Sequence, residues 1–124
     1  MTSSSTDARP DLATRGEALA ARHLTGRGME VLDRNWRCDL GEIDLVLRDG
    51  SDLVVCEVKT RGGTGFGDPL EAITREKLAR LRRLAGAYAA RDAGWVRAVR
   101  VDAVGILWAP GDAPVLRHVR NVVP

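Results

Sequence analysis

The chain has 124 residues, 44% hydrophobic and 29% charged, enough for one domain to bury a core without disulfide or metal staples. Nineteen Lys and Arg against seventeen Asp and Glu leave a charge of +2, too little by itself to argue for a nucleic-acid partner. No apolar run approaches the roughly 18 residues of a membrane helix, and the opening MTSSSTDARPD lacks the basic start and apolar core of a secretory signal.

Residues 1–11 read as a disordered tail, because Ser, Thr, Asp and Pro bury too little surface to offset ordering, and residues 12–124 as a single domain. A helix is predicted from Leu12 to Arg27, stopped by Gly28. Leu12, Leu19, Ala20, His23 and Leu24 form its apolar arc, and at about 100° per residue Glu17 falls on the edge of that arc, able to reach across the packing surface. Three strands follow: Met29–Trp36, Gly41–Arg48 and Asp52–Arg61, the last two joined by the hairpin signal Asp49-Gly50-Ser51. Gly62 to Pro69, with four glycines, reads as a mobile loop. A second helix is expected from Leu70 to Arg91, with Ile73, Leu81, Leu84, Ala85 and Tyr88 as its buried stripe. Strands over Val96–Leu107 and Val115–Val122 complete the order α-β-β-β-α-β-β, an α/β fold with helices packed on a mixed sheet.

Side-chain parity carries the chemistry. In the third strand Glu57, Lys59 and Arg61 point one way and Val54, Cys56 and Val58 the other. In the second, Glu42, Asp44 and Val46 share one face, Ile43, Leu45 and Leu47 the other. An even hairpin loop makes the two ionisable faces coincide. With a two-residue Asp49-Gly50 loop Asp44 lies diagonal to Glu57, and with a four-residue loop from Asp49 to Asp52 directly opposite. Two carboxylates meeting on one face suit a divalent cation with oxygen ligands; Mg²⁺ accepts a few carboxylates, retained waters and a substrate phosphate. A surface salt-bridge ladder is the bland alternative. Five basic residues between Arg75 and Arg83 (Arg75, Lys77, Arg80, Arg82, Arg83) stand against Glu76 alone, either a solvated face or a phosphate-contacting one.

Asp44 followed by Glu57-Val58-Lys59 resembles the signature of the PD-(D/E)xK nuclease superfamily, and the element order resembles its restriction-endonuclease-like core. The resemblance is closer still to the small bacterial YraN family, regarded as Holliday-junction-resolvase-like or endonuclease-like. It is carried by Gly16-Glu17-Ala18, Arg34-Asn35-Trp36-Arg37, Gly41-Glu42-Ile43-Asp44-Leu45 and Glu57-Val58-Lys59-Thr60-Arg61, extended by Phe66-Gly67-Asp68-Pro69, Lys77 and Arg100-Val101-Asp102. The motif's proline is absent: Ile43 precedes Asp44. The resemblance implies a Mg²⁺-dependent endonuclease, with Mn²⁺ able to substitute, hydrolysing phosphodiester bonds in DNA, with branched structures among the expected substrates. It implies metal contacts from Asp44, Glu57 and Val58, a water-orienting role for Lys59, and Glu17 as the acidic residue that completes the site. A homodimer follows by analogy with junction cutters, and recombination or repair proteins are the expected partners. The alternatives are a non-catalytic nucleic-acid-binding module and an adaptor beside a helicase or recombinase.

Lys77 sits in the apolar stripe of its helix, so it either snorkels or turns into the site. Arg61 and Arg80 are candidate phosphate contacts. Phe66 reads as a buried anchor or as a contact to an unpaired base. Glu42 reads as an alternate ligand, and Asp102 as structural, capping or pairing with Arg100 or a helix residue. His23, on an apolar arc, and an isolated His118 make no zinc site, and Trp36, Trp95 and Trp108 fit core and rim packing. Cys38 and Cys56 form no metal or redox spacing, and reduced thiols without a signal point to the cytoplasm.

Overall fold

The computed structural model describes residues 11–63, 65, 67–92 and 94–122. The first helix, α1, is Leu12–Gly26. Asp11, which the sequence reading assigns to the tail, is its N-cap: its carboxylate accepts from the Thr14 N–H at 2.8 Å. The helix ends at Arg27 with Gly28 left-handed beyond it at φ 94°, a conformation that needs no Cβ. The rest of the expected tail, residues 1–10, lies outside the described residues, as does Phe66.

The strands are β1 (Glu30–Cys38), β2 (Gly41–Asp49), β3 (Asp52–Arg61), β4 (Ala98–Leu107) and β5 (Val115–Val119). They form one sheet in the order β1-β2-β3-β4-β5, antiparallel except for the parallel pair β3–β4. The second helix is shorter than expected. Pro69–Ala72 is a separate 3-10 turn, capped by the Asp68 carboxylate on the Leu70 N–H, and Ile73 is extended at φ −91°, ψ 108°. Thr74 then restarts the chain as α2, Arg75–Asp92, its hydroxyl accepting from the Lys77 N–H. Pro69 and the Thr74 cap separate two elements that the hydrophobic period alone runs together.

β3 is the middle strand of five, which is why Leu53-Val54-Val55-Cys56 is an unbroken apolar run rather than an alternating one. On one face α1 lays Ala20, Ala21 and Leu24 against Leu45, Leu47, Val54, Cys56, Val58, Val104 and Ile106. On the other, α2 lays Leu78, Leu81, Leu84 and Ala85 against Ile43, Val46, Leu53, Val55 and Val101. This is a mixed α/β fold, a five-stranded mixed sheet with a helix on each face, consistent with a restriction-endonuclease-like core. Gly16 permits the tight seat of α1: a Cβ there would overlap the Thr60 hydroxyl of β3. Trp36 meets Tyr88 edge-on with ring centroids 5.2 Å apart, while Arg48 covers Trp95 and Arg15 covers Trp108, each at 4.4 Å. Among the described residues no helix is long and apolar enough to cross a membrane.

Candidate metal centre

The β2–β3 ladder fixes the site. Asp49 pairs Asp52, Arg48 pairs Leu53, and the pairing runs to Leu45 opposite Cys56 and stops. The turn is Gly50-Ser51, with Gly50 at φ 63°. The register is that of the four-residue alternative, which continued by one step sets Asp44 opposite Glu57. Asp44 is not itself in the ladder; its carboxylate instead accepts the Val58 N–H at 2.8 Å. The two strands therefore part at this aspartate.

The alternation expected for β2 is corrected here. Ile43 and Val46 pack toward α2, and Leu45 and Leu47 toward α1, so Ile43 and Leu45 do not share a face. The period of two breaks at Asp44. On its other side the β1–β2 pairing passes from Arg34–Leu45 to Trp36–Ile43 and leaves out Asn35, whose backbone is left-handed at φ 51°. β1 runs on through Asn35, but the left-handed backbone there leaves the pair with Asp44 unmade.

The parting strands and α2 enclose a cavity of about 250 Å³ lined by Glu42, Asp44, Glu57, Lys77, Arg80, Leu81 and Leu84. Burial pushes the Asp44 carboxyl up to about 7; the adjacent Glu57 charge adds to the rise, and the Val58 hydrogen bond opposes it. Lys77 and Arg80 reach this cavity from α2, and neither has a carboxylate partner among the described residues. Glu42, at the rim, is 3.4 Å from Arg37. Glu17 comes from α1, accepting a 3.2 Å hydrogen bond from the Asn35 side chain. Its carboxyl is raised by burial; the Asn35 bond opposes this, and the charges of Asp44, Glu42 and Asp11 add to it. Lys59 and Arg61 are half-buried and do not line the cavity. Arg75, Arg82 and Arg83 are exposed on α2.

The structure thus gathers Asp44, Glu57, Lys77 and Arg80, sets Glu17 within electrostatic reach of Asp44, and leaves Lys59 and Arg61 outside the cavity lining. Among the described residues there is no group of three or more His, Cys, Asp or Glu placed to hold a metal ion. The donor set is two adjacent carboxylates, one of them, Asp44, pushed toward its neutral form by burial and further by the charge of the other. That fits a hard divalent ion that keeps most of its waters and fits neither a zinc site nor a calcium cage.

A second cluster lies on the α1 side of the sheet, and the sequence reading under-read it. His118 is not isolated: its Nε2 is 2.8 Å from the Asp102 Oδ2, and its ring stands edge-on to His23 with centroids 6.1 Å apart. Asp102, fully buried, also accepts two hydrogen bonds from Arg100, at 2.9 and 3.2 Å, and one from the Asn121 N–H at 3.0 Å. Arg100 reaches on to Asp49 and Asp52 at the foot of the β2–β3 hairpin. The pairing of Asp102 with Arg100 is among the roles expected for it. Period-two spacing of Arg100 and Asp102 on a strand was the signal for their pairing; the contact with His118, 16 residues away, has no local signature.

Residues 16–106, which run from within α1 to within β4, match the model of the uncharacterised protein family UPF0102. A UPF0102 protein of Nocardioides sp. is 54% identical over 123 residues, covering 98% of this chain and 99% of its own. One from Streptomyces coelicolor is 52% identical, covering 94% and 91%, and one from Acidothermus cellulolyticus 50%, covering 92% and 94%. Since the matched span takes in the parting of β2 from β3 and both helices that close on it, the chain belongs, over nearly its whole length, to the UPF0102 or YraN family.

Proposed function

We propose that this protein is a Mg²⁺-dependent endonuclease that hydrolyses phosphodiester bonds in DNA, with branched or otherwise non-standard structures as its substrates. One observation carries the reading: Asp44 and Glu57 are pressed together where the sheet opens, with two cations that form no ion pair among the described residues, Lys77 and Arg80, across the same cavity. A structural ion cluster would pair those charges within the protein. Here like charges face each other and the opposite charges wait on the other wall, an arrangement complementary to a cation and a phosphate together. Asp44 and Glu57 would hold the ion, with Val58 fixing the Asp44 carboxylate through its N–H. When bound, Mg²⁺ supplies a water of lowered pKa and positive charge beside the phosphorus. Lys77 and Arg80 bind phosphate oxygens and offset the charge that builds on them. Lys59 Nζ, on the same face of β3 as Glu57, orients the attacking water. Two free cysteines, Cys38 and Cys56, suit the reducing cytoplasm as its location.

The second reading, a nucleic-acid-binding module without turnover, is favoured by the position of Lys59 outside the cavity lining. Cleavage of labelled branched, flapped, single-stranded and duplex DNA with Mg²⁺ or Mn²⁺, beside Glu57→Ala and Lys59→Ala, separates the two. Cutting that both variants lose supports the nuclease and names its substrate. DNA binding that is indifferent to metal, with no cutting of any substrate, selects the module.

A further inference from the structure

We propose that Asn35 is the positioning residue of this site: it interrupts the β1–β2 pairing at Asp44 and holds the Glu17 carboxylate, outside the cavity lining, where its negative charge acts on Asp44 and on the divalent ion bound there. The inference rests on the metal-site reading above and adds a residue to it. Two observations on Asn35 converge. Its backbone is left-handed at φ 51° inside a strand, and the β1–β2 pairs on either side, Arg34–Leu45 and Trp36–Ile43, skip it and Asp44 together. Asp44 is therefore free of the ladder toward β1 as well as toward β3, and its carboxylate is the group that takes the Val58 N–H. Asparagine is among the few residues with a side chain that adopt this backbone readily.

The side chain of the same residue then reaches α1, with Nδ2 donating to the Glu17 Oε1 at 3.2 Å. A carboxylate only accepts, so the amide nitrogen is the end that faces it. Glu17 needs such a tether. It stands among the like charges of Asp44 and Glu42, and Arg37, the cation nearest Glu42 in the structure, is engaged with Glu42 rather than with Glu17. Without the amide, repulsion turns Glu17 toward solvent. With it, a single residue of β1 ties the helix carboxylate to the strand carboxylates, which no pairing of β-strands alone achieves.

The test is calorimetric titration of the full chain with Mn²⁺ in the absence of DNA, with melting temperatures taken in parallel. Asn35→Gly keeps the left-handed backbone and removes the tether. It is expected to weaken Mn²⁺ binding by about tenfold, as loss of a partner outside the ligand set does, while the metal-free melting temperature holds. Glu17→Gln is expected to weaken it similarly, and Asn35→Gly added to Glu17→Gln to do nothing further. If Asn35→Gly does not fold, Asn35→Asp, which also tolerates the backbone but repels Glu17, is expected to show the same loss. Wild-type affinity in Asn35→Gly, tighter binding in Asn35→Asp, or losses that simply add would overturn the inference while leaving the metal site standing. A wild-type chain that takes up no Mn²⁺ overturns the metal reading itself, and this inference with it.

Discussion

Two carboxylates on the strands that flank β3, Asp102 of β4 and Asp44 of β2, are buried in opposite ways. Asp102 is fully buried and met on every side: two bonds from Arg100, one from the Asn121 N–H, and the His118 ring. Burial pushes its carboxyl up, but the Arg100 and Asn121 hydrogen bonds and the His118 contact outweigh burial and hold it below the ordinary range. Asp44 has one backbone donor and another carboxylate for a neighbour, and rises to about 7. The first cluster is complete within the protein and clamps β4 to β5 and to the hairpin foot. The second leaves its two carboxylates in conflict among the described residues, and the proposed divalent ion would complete it. A buried acid that the fold has satisfied is architecture, and one that the fold leaves in conflict marks the place to look for a ligand.

The largest effect is expected from breaking the satisfied side. Asp102→Ala leaves the nearly buried Arg100 guanidinium without its main partner, and removal of one member of a buried pair costs about 3–5 kcal/mol, against a total domain stability of about 5–15 kcal/mol. Urea unfolding measures it; a loss below about 1 kcal/mol would mean the cluster behaves as an exposed ion pair and would void the contrast. On the other side, Asp44→Asn keeps an acceptor for the Val58 N–H and removes the conflict. Metal-dependent cleavage is expected to fall about 100-fold, or about 2.7 kcal/mol, while the metal-free protein becomes more stable at pH 8. The sign follows from linkage. A carboxyl raised from 3.8 to about 7 contributes stability that is fully present below pH 3.8 and lost as pH rises through about 7. Asp102, lowered, contributes the reverse: stability present above its ordinary 3.8 and lost as pH falls. Thermal melts from pH 4 to pH 8 should thus decline on the alkaline side in wild type, decline less in Asp44→Asn, and be restored in wild type by Mg²⁺. A wild-type profile identical to that of Asp44→Asn would remove the conflict from the account.

The element order was legible because each element has its own period and its own punctuation, and the facing of Glu57 with Asp44 was legible from parity and an even loop. What escaped the sequence was the set of places where a period is deliberately broken. Ile43 and Leu45 look like one apolar face until Asn35, 8 and 10 residues earlier in the chain, proves to be left-handed opposite the residue between them. The break at Ile73 is hidden because its side chain still packs with the helix stripe that follows. His118 looked isolated because its partner, Asp102, becomes a neighbour only through the β4–β5 pairing. Local rules read elements well and exceptions poorly, and here the exception at Asn35 and Asp44 coincides with the candidate site.

Gly16→Ala tests whether that site depends on how closely α1 is seated. In an open helix, alanine for glycine stabilises by about 0.5–1 kcal/mol. Here the new Cβ would overlap the Thr60 hydroxyl, so a loss of about 1–3 kcal/mol is expected instead. Thr60→Ala in the same chain should recover most of it. Displacement of α1 carries Glu17 with it, so Mn²⁺ affinity should fall in the single variant and return in the double. Stabilisation by Gly16→Ala alone would show that the helix has room to spare.

Lys77→Met makes the smallest change and addresses the cationic wall. Lys77 is half-buried beside Leu81 and Leu84, so methionine, flexible and of similar length, fills the same groove and folding should be unaffected. If the ammonium group meets a substrate phosphate, its loss should weaken cleavage by about tenfold, or about 1.4 kcal/mol, and lower the slope of DNA affinity against salt by about one charge. A tenfold loss with an unchanged salt slope would place Lys77 against the carboxylates rather than the phosphate, because only a contact to DNA releases a counterion. No loss at all would make it a snorkelling lysine whose stem covers the helix stripe, and would leave Arg80 as the cation of that wall.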